Sequence, residues 1–377
     1  MSMEFLYLSH EDMIKAGVLN MKKCVETMDE MFQLLGKGDY LMGSPYGNHH
    51  GMMLWFPIEP VPGTKIPVAG PDRRFMCMPA YLGGRFNVCG NKWYGSNVEN
   101  AKKGLPRSIL TVNLNDPDTG APLAFMSANL LSSTRTGAVP GVAVRYLQSS
   151  NAKVIGIIGA GAVSRTSLMA IMETLKNRDQ AEVRVYDIFR EKAEAFCQEM
   201  NESYPAKYTV VDSSRAATED CDIVSCGASA LAPVPMNEEW LKPGVLVLVT
   251  GAADVTEETY KNNTVVFDNW KMHAEWLAEL GDHPERCFSI NAGHPSAPIL
   301  MMVAKKQLDP DTFVSLGDVI ADPAGKGRKS DDEKIFFVTG GMGTEDVAWG
   351  FDCYQEALRQ GIGQKITLWE NPPFAKK

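Results

Sequence analysis

The middle of the chain alternates short runs of consecutive apolar residues with longer segments in which apolar residues recur every three or four positions. The runs predict parallel strands, because unbroken Val, Ile and Leu suit a strand that is covered on both faces. The periodic segments, such as 164–177 and 190–203, predict helices between the strands. The predicted strands are 154–158, 182–186, 208–211, 222–226, 245–249 and 264–267. Their alternation with helices predicts a doubly wound α/β domain.

The two ends of the chain share a different pattern. After an amphipathic helix predicted over 21–35, the chain becomes rich in Gly, Pro, Met and aromatic residues, with strand-like runs at 52–56, 86–88 and 109–114. This pattern is typical of an α+β domain with a largely antiparallel sheet. The tail returns to it with a strand predicted at 334–339 and a helix at 346–360, so we expect the tail to fold back on the N-terminal part. The predicted division is 136–322 for the α/β domain, and 1–135 with 323–377 for the second domain.

Composition and charge narrow the class of protein. The 377 residues include 37 Lys+Arg and 46 Asp+Glu, for a net charge of −9. A length beyond about 250–300 residues favours two hydrophobic cores. The acidic balance and the lack of a basic stretch disfavour nucleic acid and anionic membranes as partners, and favour small molecules.

Location and metal content also follow from the residues. The N-terminus lacks the basic and apolar regions of a secretion signal, and no run reaches the ~18 apolar residues that span a bilayer, which predicts a cytoplasmic location. The 8 cysteines, Cys287 among them, are scattered without a CxxC pair. We therefore expect reduced thiols and no structural metal.

A glycine-rich turn directly follows the first predicted strand of the α/β domain. Gly159 permits a tight turn, Gly161 lets the backbone approach a pyrophosphate, and Ser164 is small enough for helix and strand to pack closely. Ala162 and Val163 open the helix, whose free N–H groups and dipole favour an anion. The motif predicts a dinucleotide site in a Rossmann domain.

A carboxylate at the end of the second strand indicates which dinucleotide binds. Asp187 lies 23 residues after Ser164, near the offset of about 20 at which a carboxylate binds the ribose hydroxyls. Such a carboxylate repels a 2′-phosphate and favours NAD. NADP is the alternative, because Arg190 could bind a 2′-phosphate. An exposed residue in the first turn of a helix is an equally good interpretation of Arg190. The alternative role for Asp187 is to cap the following helix.

A series of short motifs runs from about residue 78 to the C-terminal helix. They are MPA at 78–80, GNKW at 90–93, LND at 114–116, TGAPLA at 119–124, STRTGA at 133–138, GAGAVS at 159–164, EDCDIV at 219–224 and GGMGTED at 340–346. In this order they resemble the ornithine cyclodeaminase/mu-crystallin family. The resemblance implies a nicotinamide-binding Rossmann domain and a second domain, built from both chain ends, that forms a dimer and carries much of the substrate site.

The resemblance also implies roles for individual residues. Lys92 matches the family's active-site lysine, and Arg135 its substrate-binding arginine. A desolvated lysine near other positive charge has a lowered pKa and moves protons on and off an amine or water, while an arginine offers a rigid fork to a carboxylate. Without the motifs, the default would be a surface lysine and a structural ion pair. Further cofactor contacts are implied for Thr134, Gly227, Ala228 and Gly251.

Two departures from the family pattern concern the substrate. Family cyclodeaminases place an aspartate just after the fifth Rossmann strand, whereas Asp254 comes one position later, and a one-residue slip redirects a side chain. Either the loop compensates and Asp254 takes part in catalysis, or Asp254 is a cap or a surface residue. The family's early substrate arginine is missing from 42–50. The segment 55–74 brings Arg73 and Arg74 instead, and Arg107, in the loop 104–108, is our candidate substrate-binding residue.

These features predict an NAD(P)-dependent oxidoreductase acting at a C–N bond of an amino acid, amine or imine. In a dehydrogenase, water attacks the imine and the reduced cofactor departs; in a cyclodeaminase, an internal amine traps the imine, ammonia leaves and the hydride returns. The register of Asp254 favours a dehydrogenase or imine reductase. Three alternatives stay open: a cyclodeaminase-type ammonia lyase, a non-catalytic mu-crystallin-like binding protein, and a protein that resembles a tyramine oxidase subunit. We expect a homodimer in each case.

Overall fold

The structure is a computed structural model that describes residues 2–70, 73–228, 234–282 and 294–372, so Cys287 lies outside the described residues. The chain forms two compact units. We call Met1–Asn20, Asp39–Arg135 and Met342–Lys377 the mixed-sheet unit, and Met21–Gly38 with Thr136–Gly341 the parallel-sheet unit.

The described strands are, in chain order, β1 (Met3–Leu8), β2 (Tyr40–Met42), β3 (Met52–Leu54), β4 (Arg74–Leu82), β5 (Val88–Ser96), β6 (Ser108–Asn115), β7 (Pro122–Ser127), β8 (Val154–Ile158), β9 (Glu182–Tyr186), β10 (Lys207–Val210), β11 (Ile223–Cys226), β12 (Val234–Pro235), β13 (Leu246–Val249), β14 (Ala253–Asp254), β15 (Thr264–Phe267), β16 (Val314–Ser315), β17 (Ile335–Val338) and β18 (Gln364–Trp369). The described α-helices are α1 (His10–Lys15), α2 (Met21–Lys37), α3 (Asn129–Leu147), α4 (Ala162–Thr174), α5 (Arg190–Ser203), α6 (Glu257–Asn262), α7 (Trp270–Asp282), α8 (Ala297–Ala304), α9 (Leu316–Ala321), α10 (Pro323–Lys326) and α11 (Gly343–Gln360).

The mixed-sheet unit is built on one sheet of order β18-β1-β7-β6-β5-β4-β2, with β3 paired to β4. All of its pairs are antiparallel except β1 with β7. Alternate residues of the central strands are buried, as in β5, where Val88, Gly90 and Lys92 point to the covered side. Helix α11 covers this inner face and packs on β4, β5 and β6. The opposite face is the outer face.

The parallel-sheet unit contains a sheet of order β10-β9-β8-β11-β13-β17-β15-β16, in which every pair is parallel. All residues of β11, β13 and β17 are buried, as strands covered on both faces require. The carboxyl ends of these strands meet at one edge, because Ile158, Cys226, Val249 and Val338 lie in register across neighbouring strands. Ligands of doubly wound sheets bind at this edge.

Two elements belong to a different unit from the predicted one. The strand predicted at 334–339 forms as β17, but it pairs between β13 and β15 in the parallel sheet instead of joining the N-terminal sheet. Its four apolar residues need cover on both faces, which the edge of the mixed sheet does not provide. Helix α2, expected with the N-terminal residues, packs on α4 and α9 of the parallel-sheet unit. There, Gly36 and Gly317 approach so closely that no Cβ fits between them.

The predicted fold class is confirmed: a doubly wound parallel sheet is accompanied by an α+β unit that uses both chain ends. Within the described ranges, no helix has the length and apolarity needed to cross a bilayer.

Candidate active site

Lys92 is buried on the inner face of the mixed sheet. Its cross-strand neighbours are Met78 on β4 and Val112 on β6, both almost completely buried. The lysine side chain itself is only 4% exposed, so its ammonium group has lost most of its water. Burying an ammonium ion is costly unless charged partners compensate it. The partners must therefore come from the helix that covers this face.

Helix α11 supplies those partners from its first turn. The Asp346 Oδ2 atom lies 2.8 Å from Lys92 Nζ and 3.0 Å from Arg135 Nη2. Arg135 also donates from Nε to Asp346 Oδ1 at 3.0 Å, and from Nη1 to Glu345 Oε2. We call Lys92, Arg135, Glu345 and Asp346 the charge cluster. All four residues are at most 5% exposed, and their formal charges sum to zero.

The charge cluster tunes the lysine towards neutral pH. Burial, and next the positive charge of Arg135, lower the pKa of Lys92 to about 8, against the opposing effect of Asp346 and Glu345. Burial would also lower the pKa of Arg135, but the two carboxylates outweigh it and raise that pKa. Arg135 thus stays charged while Lys92 titrates near physiological pH, which suits a group that gives and takes a proton.

The glycine-rich turn of the parallel-sheet unit has the geometry of an anion site. Gly159 has a positive φ of 87°, which a residue with a Cβ rarely adopts, and it closes the tight turn after β8. Gly161 caps the N-terminus of α4 without a side-chain hydrogen bond, and a Cβ placed there would meet nothing within 4 Å. Helix α4 therefore presents its first N–H groups, from Ala162 and Val163, towards open space.

Asp187 and Arg190 have partners that bear on the choice of cofactor. The Asp187 carboxylate accepts hydrogen bonds from the backbone N–H groups of Ala160 at 2.7 Å and Phe189 at 2.9 Å, which fixes it beside the glycine-rich turn. Arg190 donates to Glu194 at 3.0 Å and to Asp212 at 2.5 Å, so its guanidinium already has two carboxylate partners. This arrangement fits a ribose with free hydroxyls better than a 2′-phosphate.

The other residues that are predicted to contact the cofactor are small, or carry a hydroxyl group that has no hydrogen-bond partner among the described residues. Ser164 lies against Gly227, where a Cβ would collide with its hydroxyl, and Gly251 similarly packs on the Ala228 carbonyl. Both contacts lie at the carboxyl edge of the parallel sheet, where ligands of doubly wound folds bind, and the lack of a Cβ lets the chain segments pack closely there. In the mixed-sheet unit, the Thr134 hydroxyl is buried and has no hydrogen-bond partner among the described residues.

The predicted catalytic residue Asp254 and the predicted substrate-binding residue Arg107 are both exposed. Asp254 ends the short strand β14, where its carbonyl accepts the Met236 N–H at 3.0 Å and its side chain is exposed. Arg107 is exposed in the loop before β6, and its carbonyl accepts the Asn97 N–H at 2.9 Å. Their predicted roles remain predictions.

Glu345 and Asp346 have no predicted role, although they lie within the GGMGTED motif. The available signal was chemical: two adjacent carboxylates at the start of an otherwise largely apolar helix face are expensive to bury without cations. The two predicted cations, Lys92 and Arg135, also need acidic partners, but no sequence spacing connects them with Glu345 and Asp346.

Comparison with known proteins identifies the family. The family model described as the ornithine cyclodeaminase/mu-crystallin family matches residues 18–361. The chain belongs to this family. The predicted resemblance is confirmed.

Among its relatives is the N-((2S)-2-amino-2-carboxyethyl)-L-glutamate dehydrogenase of Staphylococcus aureus, 25% identical over 98% of this chain and 100% of the relative. Among solved structures, the Thermococcus litoralis Delta(1)-pyrroline-2-carboxylate reductase in complex with NADH and L-proline is 28% identical, with a TM-score of 0.75 over 96% of this chain and 99% of that one. An archaeal alanine dehydrogenase dimer with bound NAD is 26% identical, with a TM-score of 0.77 over 97% and 100%.

The glycine-rich turn generates a binding prediction. Gly161→Asp places a carboxylate at the α4 N-terminus, where it repels a pyrophosphate, so we expect NADH affinity to fall at least about tenfold, or 1.4 kcal/mol. Gly281→Asp is the matched control, because it adds the same carboxylate at an exposed glycine of the same unit, where an added Cβ meets no protein atom within 4 Å. Fluorescence titration with NADH measures both. Equal affinity of wild type and Gly161→Asp would show that the pyrophosphate binds elsewhere.

Proposed function

We propose that this protein is an NAD-dependent oxidoreductase that acts at the C–N bond of an amino acid or the corresponding imine. The observation that carries the proposal is the charge cluster, in which a buried lysine titrates near pH 8 beside a permanently charged arginine. The three relatives support it, since each is named as a dehydrogenase or a reductase and two were solved with NAD or NADH. NADP stays the alternative cofactor.

The chemistry divides between cofactor and protein. The nicotinamide, when bound, accepts a hydride from the amine-bearing carbon or returns one to an imine. Gly159, Gly161, the first N–H groups of α4 and Asp187 would hold the dinucleotide. Lys92 supplies the proton transfer: the neutral amine takes a proton from the substrate nitrogen or from water in the oxidative direction, and the ammonium form protonates the imine in the reverse direction.

Net oxidation or reduction is favoured over cyclodeamination. Cyclisation needs a second acid/base group, for which Asp254 is the candidate, but its side chain is exposed on a two-residue strand. A dehydrogenase or reductase needs only Lys92 and water. The remaining alternatives are a cyclodeaminase-type lyase, a mu-crystallin-like binding protein and a protein that resembles a tyramine oxidase subunit. A cytoplasmic location is part of the proposal.

The deciding experiment follows ammonia and NADH together while the protein reacts with NAD and a panel of amino acids and amines. We expect equal amounts of both products with an amino acid. Lys92→Met should lower kcat/KM about 10²- to 10⁴-fold, because proton transfer loses its mediator. Lys102→Met, at a lysine that is 75% exposed in the same unit, should leave kcat/KM unchanged. Ammonia without NADH would instead establish a lyase, and no turnover with any substrate would favour a binding protein.

The pH dependence of the rate tests the role of the charge cluster. Since Lys92 must be neutral to act as a base, the oxidative rate should rise with pH through about 8. Asp346 raises the pKa of Lys92, so Asp346→Asn should move this rise to lower pH. Asp352→Asn is the control on the same helix; it loses a 2.5 Å ion pair with Arg85 outside the cluster and should leave the profile in place. If the rate rises at the wild-type pH in both variants, the titrating group that controls the rate is not Lys92.

We also propose that the outer face of the mixed sheet binds a second copy of the chain. Four neighbouring strands, β4 to β7, each expose a large apolar residue there: Phe75, Trp93, Ile109 and Phe125 are 37%, 45%, 48% and 40% exposed. Phe75 and Trp93 stack with their ring centroids 5.6 Å apart, and together with Ile109 they line one cavity on this face. Exposed apolar residues grouped in this way mark an interaction site, and a two-fold dimer places the same group on both partners. The archaeal relative solved as a dimer supports this choice.

Light scattering after size exclusion tests the dimer. Wild type should have the mass of two chains, and Ile109→Glu should shift it to one by burying a charge in the interface. Ile14→Glu, at a 45% exposed position on α1 of the same unit, should remain dimeric. A wild-type monomer at micromolar concentration would refute the proposal.

A further inference from the structure

Asp268, directly after β15 in the parallel-sheet unit, is a buried carboxylate that accepts hydrogen bonds from four different donors. Its Oδ1 atom accepts hydrogen bonds from the Asn269 N–H at 2.7 Å and from His273 Nε2 at 2.8 Å. Its Oδ2 atom accepts from the N–H groups of Gly340 at 2.5 Å and Gly341 at 3.1 Å. The carboxylate is about 1% exposed, and the His273 side chain is fully buried.

These bonds make Asp268 an ionised anchor. Burial raises the pKa of Asp268, but the hydrogen bonds and charge of His273 and the backbone N–H groups outweigh it and lower that pKa. Because an ionised carboxylate only accepts, its four donors are held in fixed directions. Gly341 has a positive φ of 72°, and a Cβ on Gly340 would overlap the Met272 side chain of α7. The turn of Gly340 and Gly341 is therefore fixed from both sides.

This turn lies at the edge of the sheet where ligands bind. It follows β17, whose last residue, Val338, is in register with Val249 and Phe267 at the carboxyl ends of β13 and β15. Counting from β8, which leads into the glycine-rich turn, β17 is the third strand along, in the order β8-β11-β13-β17. At about 4.8 Å per strand, that is about 14 Å along the edge.

The direction along the edge distinguishes the two halves of a dinucleotide. Asp187, which is placed for the adenosine ribose, follows β9 on one side of β8, whereas β17 lies on the other side. A dinucleotide that crosses the switch point with its pyrophosphate at the glycine-rich turn extends its nicotinamide half towards β11, β13 and β17. The fixed turn is thus on the nicotinamide side.

We infer that Asp268 is a positioning residue for the nicotinamide half of the cofactor: through its hydrogen bonds to Gly340 and Gly341 it holds the turn against which that half binds. The inference rests on the dinucleotide site and not on the reaction or its substrate. A binding experiment therefore tests it even if the proposed oxidoreductase activity fails.

The test compares NADH with ADP-ribose, which lacks nicotinamide. In Asp268→Asn an amide that must donate replaces one carboxylate oxygen, so the donors of the turn lose part of their anchor. We expect NADH affinity, by fluorescence titration, to fall about tenfold or more, and ADP-ribose affinity, by competition or calorimetry, to change less than about threefold. Loss of both ligands together would mean that the whole unit is disturbed, and unchanged affinity for both would mean that the turn does not bind cofactor; either overturns the inference.

Asp222→Asn is the matched control at the opposite edge of the same sheet. Asp222 is also buried and accepts two backbone N–H groups, from Lys153 at 2.9 Å and Val154 at 2.7 Å. It should lose a similar amount of stability and bind both ligands as wild type does. A fall in NADH affinity equal to that of Asp268→Asn would reduce the role of Asp268 to general stability.

His273→Gln keeps the inference testable if Asp268→Asn does not fold. The variant removes the imidazole donor but leaves the carboxylate on the turn, so a loss of NADH affinity of about two- to fivefold is expected, again without a loss for ADP-ribose. NADH affinity equal to that of wild type in a folded His273→Gln protein would contradict the inference.

Discussion

The inner face of the mixed sheet depends on the mutual neutralisation of four buried charges. Two cations, Lys92 on β5 and Arg135 on α3, are matched by two carboxylates at the start of α11. Desolvating each ion costs several kcal/mol, and removing one partner of such a group typically costs about 3–5 kcal/mol. Loss of any one member therefore destabilises the cluster strongly. This cost fixes the register of α11 on the sheet, since a shift of one helical position would leave an unpaired charge in the core.

The same constraint accounts for the chemistry of the site. Arg135 cannot release its proton, and with Asp346 and Glu345 it leaves Lys92 as the member of the cluster that titrates near neutral pH. A lysine on the outer face would keep its hydration and its ordinary pKa. The alternation of β5 instead points Lys92 inwards and the neighbouring Trp93 outwards. One strand thus supplies a titratable group to one face and an apolar contact residue to the other.

Sequence patterns predicted the parallel strands well because the burial of a strand is reflected in its own residues. The bounds of β8, β9 and β15 agree with the predicted ones. β8 and β15 are almost entirely apolar runs, which already indicate burial on both faces, and in β9 the buried Val183 and Val185 alternate with Glu182 and Arg184. The place of β17 in the sheet was beyond such patterns, because pairing between β13 and β15 is a choice among strands far apart in the chain. The charge cluster was missed for the same reason: Arg135 and Asp346 are 211 residues apart, and no local spacing connects them.

The segment from β17 to the first turn of α11 combines a local sequence motif with contacts between residues that are far apart in the chain. Gly340 and Gly341 both donate backbone hydrogen bonds to a buried carboxylate, and a Cβ on Gly340 would overlap the Met272 side chain. Four residues later the chain supplies the two carboxylates of the charge cluster. Both ends of this short segment are thus fixed by buried ionised groups, one that accepts backbone donors and one that accepts side-chain cations. Glycine is needed here for close approach, and the GGMGTED motif is best understood as two adjoining electrostatic anchors.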